Sequence, residues 1–355
     1  SSDPARLLFA TTLLTSGLEP VLGLLAELLT GATYPDDGVE GERDRVAERI
    51  AIARSQPGII ARTALAARRY GSHPYAVQLP DPELVLDVRA PALRRMHREH
   101  VLPTGSSLVL VGDLDPEAAI AAVAEALAGW VGAGTAQETP PAPVLRAPEI
   151  ELVDRPGAVQ SNVRLGGPAS RRTDPDLAAT RLASMIFGGY FSSRLVENIR
   201  ERRGYTYSPR SSVDHQAAGS SFLVEADVAT EVTGPALLET WYELGRMALT
   251  SVTDAELDGA RRYILGSMAL STATHAGLAS TLSALVGAGL PPDWLTDHQR
   301  ALAGVTAEEV QEAGRRYLAP AGLTAVVVGD ADRVADQLRT LAPVEVTGGG
   351  HGGGA

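Results

Sequence analysis

The sequence predicts a fold of mixed helices and strands arranged as two copies of one domain. Three observations carry this: an internal repeat, a linker without apolar periodicity between its copies, and a length of 355 residues that suits two domains of roughly 150 residues each. The repeat is legible without gaps. "VRAPALRRMHREHVLPTGSSLVLVGD" at 88–113 lies over "VTAEEVQEAGRRYLAPAGLTAVVVGD" at 305–330 at a constant offset of 217. Each copy reads as an amphipathic helix, a proline-containing turn, and an apolar strand ending in Val-Gly-Asp. A further helix comes next, opened in the first copy by "DPEAA", where Asp115 can cap free amides and Pro116 suits the first helical position.

Taken in order, "LLFATTLL" at 7–14 reads as a strand before the helix "EPVLGLLAELL", as "FLVEADVA" at 222–229 precedes "GPALLETWYEL". "GAGTAQETPPAPVLRAPE" at 132–149 is the linker. The expected domains are therefore 1–140 and 149–343, with 344–355, including "GGGHGGGA", as a glycine-rich tail. The second domain opens with strands "EIELVDR" and "AVQSNVRLG", then helices "DLAATRLASMIFG" and "SSRLVENIRE". The first has no counterpart to these. The shared motif begins about 156 residues into the second domain but only 87 into the first, a shortfall of about 69.

Composition narrows the function. Apolar residues make up 45% and charged residues 21%, ordinary for a globular chain, and no run approaches the roughly 18 apolar residues of a membrane span. A formal charge of -12 repels nucleic acid and anionic membrane surfaces and suits a peptide partner with basic residues. There is no cysteine, so disulfides, thiolate metal sites and cysteine nucleophiles are excluded. All 31 basic side chains are arginine. That bias, with heavy use of alanine, glycine and proline, points to a GC-rich bacterial genome, and the absence of a signal-peptide pattern in residues 1–20 makes a cytoplasmic setting the expectation.

The stretch "FGGYFSSRLVENIRERRGYTY" at 187–207 concentrates unusual residues. Phe191, Leu195 and Ile199 recur at helical spacing and predict a packed face. Ser192 or Ser193 is placed to cap the helix and Gly204 to end it. On spacing alone, Arg194, Arg200, Arg202 and Arg203 with Glu197 and Glu201 read as a solvated, salt-bridged face. A strand is expected next, with Tyr205 facing the core and Tyr207 beside it. Among the histidines, His97 and His100 stand three apart on a helix. Their repeat counterparts are Gly314 and Tyr317, which makes the His100 position an aromatic-sized structural slot rather than a metal site. His73 reads as a loop residue, and His215, His275 and His298 are scattered without ligand spacing.

The same stretch resembles the Gly-Gly, Ser-Arg-Leu, Leu-Arg, Gly-x-x-Tyr signature of the pitrilysin and insulinase type zinc peptidases, family M16, which includes the mitochondrial processing peptidases. "RRYGSHPYAVQLP" and the "VGD" strands match weaker family patterns. The resemblance covers essentially the whole chain and implies an α+β fold: two homologous domains, each a mixed or antiparallel sheet covered by helices, forming half of a clam shell that closes around a peptide. It also implies that zinc is held in the catalytic half by His-x-x-Glu-His on a helix with a later glutamate as third ligand. This sequence has no such motif, and the stretch matching the third ligand, "GERDRVAERI", puts Arg49 seven residues after Glu42, with Glu48 one residue off. In the family, an arginine and a tyrosine seven residues apart hold the substrate backbone, and Arg200 and Tyr207 have that spacing.

The expectation is a chain that binds no metal, is not catalytic alone, and holds peptide through Arg200 and Tyr207. It would do so beside a partner subunit that supplies zinc and His-x-x-Glu-His, in a heterodimer acting on small peptides or leader segments. The alternatives are a complete catalytic peptidase whose metal-binding segment lies outside this sequence, and a non-enzymatic scaffold subunit.

Overall fold

The computed structural model describes residues 2–3, 6–134, 139–145 and 147–348. Its elements are two-residue strands β1 (Ser2–Asp3) and β2 (Arg6–Leu7), then helices α1 (Leu18–Thr30), α2 (Asp36–Arg54), α3 (Pro57–Tyr70), α4 (Pro82–Leu86), α5 (Ala90–His100) and α6 (Pro116–Ala126). After the linker come β3 (Ile150–Asp154), β4 (Gln160–Ala169), α7 (Leu177–Ser184), β5 (Arg210–Gln216), β6 (Gly219–Ala229), α8 (Thr233–Leu249), α9 (Asp254–Ser271), α10 (His275–Gly287), α11 (Trp294–Gly304), α12 (Ala307–Ala313), β7 (Thr324–Gly329), α13 (Ala331–Arg339) and β8 (Val344–Gly348). By compactness the chain falls into one unit of 1–52, 80–139 and 267–295 and another of 53–79, 140–266 and 296–355. The linker divides the chain by sequence similarity; compactness partitions it differently.

The larger unit is built on a six-stranded mixed sheet in the order β5-β6-β4-β7-β3-β8. Strands β3, β7 and β8 run parallel to one another, while β4, β5 and β6 pair antiparallel. The apolar run "TAVVVG" of β7 is buried at every residue, as expected of a central strand covered on both faces. Helix α3 lies on one face, where Ala61 and Leu65 pack on Val153, Val326 and Val328. Alternation puts the opposite set on the other face. There Phe187 meets Phe222 edge-on at 5.8 Å, and Thr233 at the start of α8 bonds Ser161 of β4 at 2.7 Å. Val344–Gly348, assigned from sequence to the tail, is the edge strand β8, with residues 344–348 in register on Ile150–Asp154. The rest of the glycine-rich segment lies outside the described residues.

In the smaller unit the helices form as expected. Asp115 Oδ1 caps α6 through Ala118 N at 2.8 Å, and Trp130 donates to the Val101 carbonyl at 3.0 Å. The two strands expected there do not form. Residues 8–14 and 107–111 have no regular structure, and Phe9, Leu14, Leu108 and Leu110 are exposed. A strand exists only with a ladder partner. Among the described residues nothing stands beside 107–111 as β3 and β4 stand beside β7.

Histidine placement also departs from expectation. His100 is exposed, whereas His97 is the structural residue, bonded to Tyr34 Oη and the Leu29 carbonyl at 2.9 Å each. It helps hold Tyr34 in a left-handed conformation, φ 47°, a position costly for a bulky side chain. Arg94 bonds the Thr33 and Tyr34 carbonyls at 2.8 Å and supports the same turn. His73 is a turn residue as expected, its Nδ1 accepting from Tyr75 N at 3.1 Å. Among the described residues no helix is long and apolar enough to cross a membrane.

Candidate functional site

The stretch from Phe187 to Tyr207 is shaped by close packing at its start. A π-helical turn, Met185–Gly189, ends α7. A Cβ on Gly188 would meet Ser211 Oγ at 3.0 Å and its amide at 3.1 Å, so the Gly-Gly pair lets this turn lie against β5. Ser193 does not cap the next helix: its hydroxyl is buried without a partner. Leu195 is fully buried, and Arg194 is buried too, its Nε and Nη2 gripping Glu256 at 2.6 and 2.9 Å. Arg194 thus leaves the solvated face that spacing assigned to it. Burial alone would raise the Glu256 carboxyl, but the hydrogen bonds from Arg194 and Thr253, with the Arg194 charge, outweigh it and hold the group at about 2.

The helix continues as a second π-helical segment, Val196–Arg202, a geometry that recurs at functional sites. Its inner face is anchored by Ile199, fully buried, and by Asn198, which donates to Glu239 and Glu243 at 2.9 and 2.8 Å. Gly204 stops it in the left-handed region, φ 65°, and Tyr205 N returns to the Ile199 carbonyl at 2.8 Å. The chain then forms a loop rather than a strand, since β5 begins only at Arg210. Thr206 Oγ1 fastens this loop to the Asp227 carbonyl at 2.6 Å. Tyr205 is half-buried, in a shallow groove with Pro235 and Leu238.

This arrangement brings Arg200 and Tyr207 together. The guanidinium carbon lies 4.7 Å from the centre of the Tyr207 ring and 4.8 Å from that of Phe191, so two rings stack on one cation. Tyr207 is 80% exposed and Phe191 62%. Helical spacing places Phe191 in the core; instead Tyr190, extended at φ -149°, breaks the helical phase and turns Phe191 outward. The available signal was the Gly-Gly break itself, which lies only two residues before Phe191. Rings on a guanidinium occupy its faces and leave edge donors for acceptors in its plane. Nε of Arg200 stands 3.2 Å from Glu201, and among the described residues the Tyr207 hydroxyl has no hydrogen-bond partner. The site therefore presents oriented N–H and O–H donors on an exposed aromatic patch, a combination suited to peptide carbonyls.

The position matching the family's third zinc ligand does not fit a metal. Arg49 pairs with Glu42 on the exposed side of α2 at 3.1 Å, and among the described residues no three His, Asp or Glu side chains stand together to hold an ion. Sequence spacing also left His215 and His298 apart, whereas the fold gathers both around Arg181.

Comparison with known proteins agrees with this architecture. Residues 87–264 match the family model described as the peptidase M16 inactive domain. An uncharacterized zinc protease of Streptomyces coelicolor is 28% identical over 264 residues, 72% of this chain and 57% of that protein. A non-peptidase homolog of Helicobacter pylori is 24% identical over 271 residues, 75% of this chain and 62% of its own. This chain thus spans little more than half the length of the Streptomyces relative. The crystal structure of a peptidase M16 inactive domain from Pseudomonas fluorescens superposes with a TM-score of 0.82 at 27% identity, covering 89% of this chain and 76% of that one. The matched segment takes in the Gly-Gly turn, the Arg194 anchor and the Arg200–Tyr207 stack, and the chain belongs to the peptidase M16 family through its inactive domain.

Proposed function

We propose that this chain is the substrate-holding, zinc-free subunit of a heterodimeric M16-type peptidase, gripping the peptide backbone for cleavage at a partner's zinc. One observation carries the reading: Arg200, held against two exposed rings, and Tyr207, whose hydroxyl has no partner among the described residues, are oriented and open. Backbone carbonyls recur along every peptide, so such donors bind without regard to side-chain sequence. Arg49 paired with Glu42 supports assigning zinc to the partner. The substrate class is a small peptide or leader segment, and the setting is the bacterial cytoplasm.

The test is to assay this chain alone and mixed with an M16 subunit carrying His-x-x-Glu-His, with and without chelator. Cleavage should require both chains and be abolished by chelation. Zinc-dependent cleavage by this chain alone would reject the proposal. A second reading, a complete catalytic peptidase with its metal-binding segment outside this sequence, is favoured by the name of the Streptomyces protein and the 57% of its length covered here. Reading the full reading frame separates the two, because His-x-x-Glu-His ahead of Ser1 would establish the second.

A further inference from the structure

Phe191 occupies a place where a large apolar ring has no core to fill. Residues 190–193 form a tight turn, closed by Ser193 N donating to the Tyr190 carbonyl at 3.2 Å, and Phe191 stands at its first corner, 62% exposed. Such corners ordinarily carry glycine, proline or short polar residues. The turn is fastened on both flanks to one helix. On one side the Tyr190 ring lies 5.3 Å from that of Tyr263 on α9; on the other, Arg194 grips Glu256, near the start of α9, at 2.6 and 2.9 Å. Phe191 is thereby a fixed feature of the surface.

Its ring lies on Arg200. Neighbouring arginines of the same helical segment show the usual alternative, since Arg202 pairs with Glu197 and Arg203 with Glu239. A carboxylate holds a guanidinium in its plane and uses up N–H donors, whereas a ring lies over the face and leaves them free. Arg200 is held in the second way, 4.8 Å from the centre of Phe191 and 4.7 Å from that of Tyr207, with Glu201 3.2 Å from Nε. Among the described residues neither of its Nη groups has a hydrogen-bond acceptor. The Arg200 side chain is only 27% exposed, against 67% for Arg202 two residues on. A solvated arginine loses rotamer freedom when it grips a ligand. One restrained beforehand has lost that freedom already, and it binds more tightly for it.

We propose that Phe191 is a positioning residue for peptide binding: its ring holds the Arg200 guanidinium in place before peptide arrives and keeps the Nη donors open to peptide carbonyls. Tyr207 combines two tasks, with its ring on the cation and a hydroxyl to donate. Phe191, which has no polar side-chain atom, performs the first alone. The use of this restraint rests on the proposed peptide-holding role of Arg200; the restraint itself does not.

The Arg200 Nε–H resonance of the full chain, assigned by its loss in Arg200→Lys, reports the restraint without any peptide. In the wild type it should be displaced upfield by the rings and show the heteronuclear NOE of an ordered group. Phe191→Leu keeps apolar bulk but removes the ring, so it should reduce the displacement and lower the NOE toward that of an exposed arginine. Phe191→Tyr should restore both. Affinity is then read by anisotropy of a fluorescein-labelled basic peptide on the chain mixed with an inactivated M16 subunit carrying His-x-x-Glu-His. Phe191→Leu should weaken binding about fivefold, and Phe191→Tyr should recover most of that loss. In the Arg200→Ala background Phe191→Leu should add less than about twofold, because it acts through Arg200. Thermal midpoints of the Phe191 variants should stay at the wild-type value, since the ring is exposed. The proposal is wrong if Phe191→Leu leaves the Arg200 resonance unmoved. It is equally wrong if Arg200→Ala weakens binding while Phe191→Leu does not, or if the Phe191→Leu loss persists in full without Arg200. If Arg200→Ala itself binds as the wild type does, the peptide-holding reading fails, and the resonance alone decides whether Phe191 restrains Arg200.

Discussion

The two copies of the repeat share a sequence pattern and meet different fates. In the second, Thr324–Gly329 is a central strand flanked by β3 and β4, buried throughout. In the first, the matching residues 107–111 have no strand partner among the described residues and are largely exposed. The preceding helix differs as well. Gly314 abuts α8 so closely that a Cβ would lie 2.3 Å from the Met247 carbonyl oxygen, whereas its counterpart His97 fills the space with an imidazole bonded to Tyr34 and Leu29. The lesson is that an apolar run is permission to form a strand, and the partners on either side decide whether it does.

Matched substitutions break this comparison most sharply. Val327 and Leu110 occupy the same repeat position, at 0% and 39% exposure. Val327→Asp buries an unpaired carboxyl and should cost more than about 4 kcal/mol or prevent folding, while Leu110→Asp should stay within about 1 kcal/mol. Urea unfolding of both variants checks this, and equal losses would mean that 107–111 is a paired strand after all. The next effect in size concerns ion pairs. Arg194→Ala strands Glu256 and should cost about 2–4 kcal/mol, whereas Arg49→Ala, at an exposed pair, should change stability by less than about 0.5 kcal/mol.

The Arg194 pair also leaves a pH signature. Glu256 has its folded value depressed from 4.5 to about 2, so its contribution is present in full above 4.5 and fades as pH falls toward 2. Glu256→Gln should flatten that acid limb in unfolding curves recorded across the window. Gly314→Ala comes next, at about 1–3 kcal/mol from overpacking against α8, read as a shift in the thermal midpoint. Least of all for stability, Arg200→Ala should alter the midpoint hardly at all, its side chain being held by exposed rings and one surface glutamate.

Much of the larger unit was legible in the sequence. The second domain's strands "EIELVDR" and "FLVEADVA", the helix before Gly188 and the stop at Gly204 announce themselves by apolar periodicity and turn residues, and each stands where it was expected. The Arg200 and Tyr207 spacing was legible too, and the fold brings the pair into contact. Three features were not legible, for separable reasons. The first unit's strands failed because pairing is non-local. Arg194 and Phe191 exchanged roles with their spacing-based readings because π-helical turns shift the angular phase that a regular 3.6-residue period assumes. The gathering of Arg181, His215 and His298 joins residues 117 positions apart, a distance over which periodicity carries no information.

The central claim is that Arg200 and Tyr207 hold peptide backbone, and equilibrium binding of a fluorescent peptide tests it most directly. The peptide is titrated by anisotropy against the chain mixed with an inactivated M16 subunit carrying His-x-x-Glu-His, the partner proposed above, so that nothing is cleaved. Arg200→Ala should weaken binding by about 10-fold or more and Tyr207→Phe by a smaller factor, in keeping with the loss of charged and neutral hydrogen bonds. A peptide with one N-methylated amide should bind as the parent does, since its carbonyls are intact. Unchanged affinity in Arg200→Ala, with the variant folded and assembled, would contradict the account.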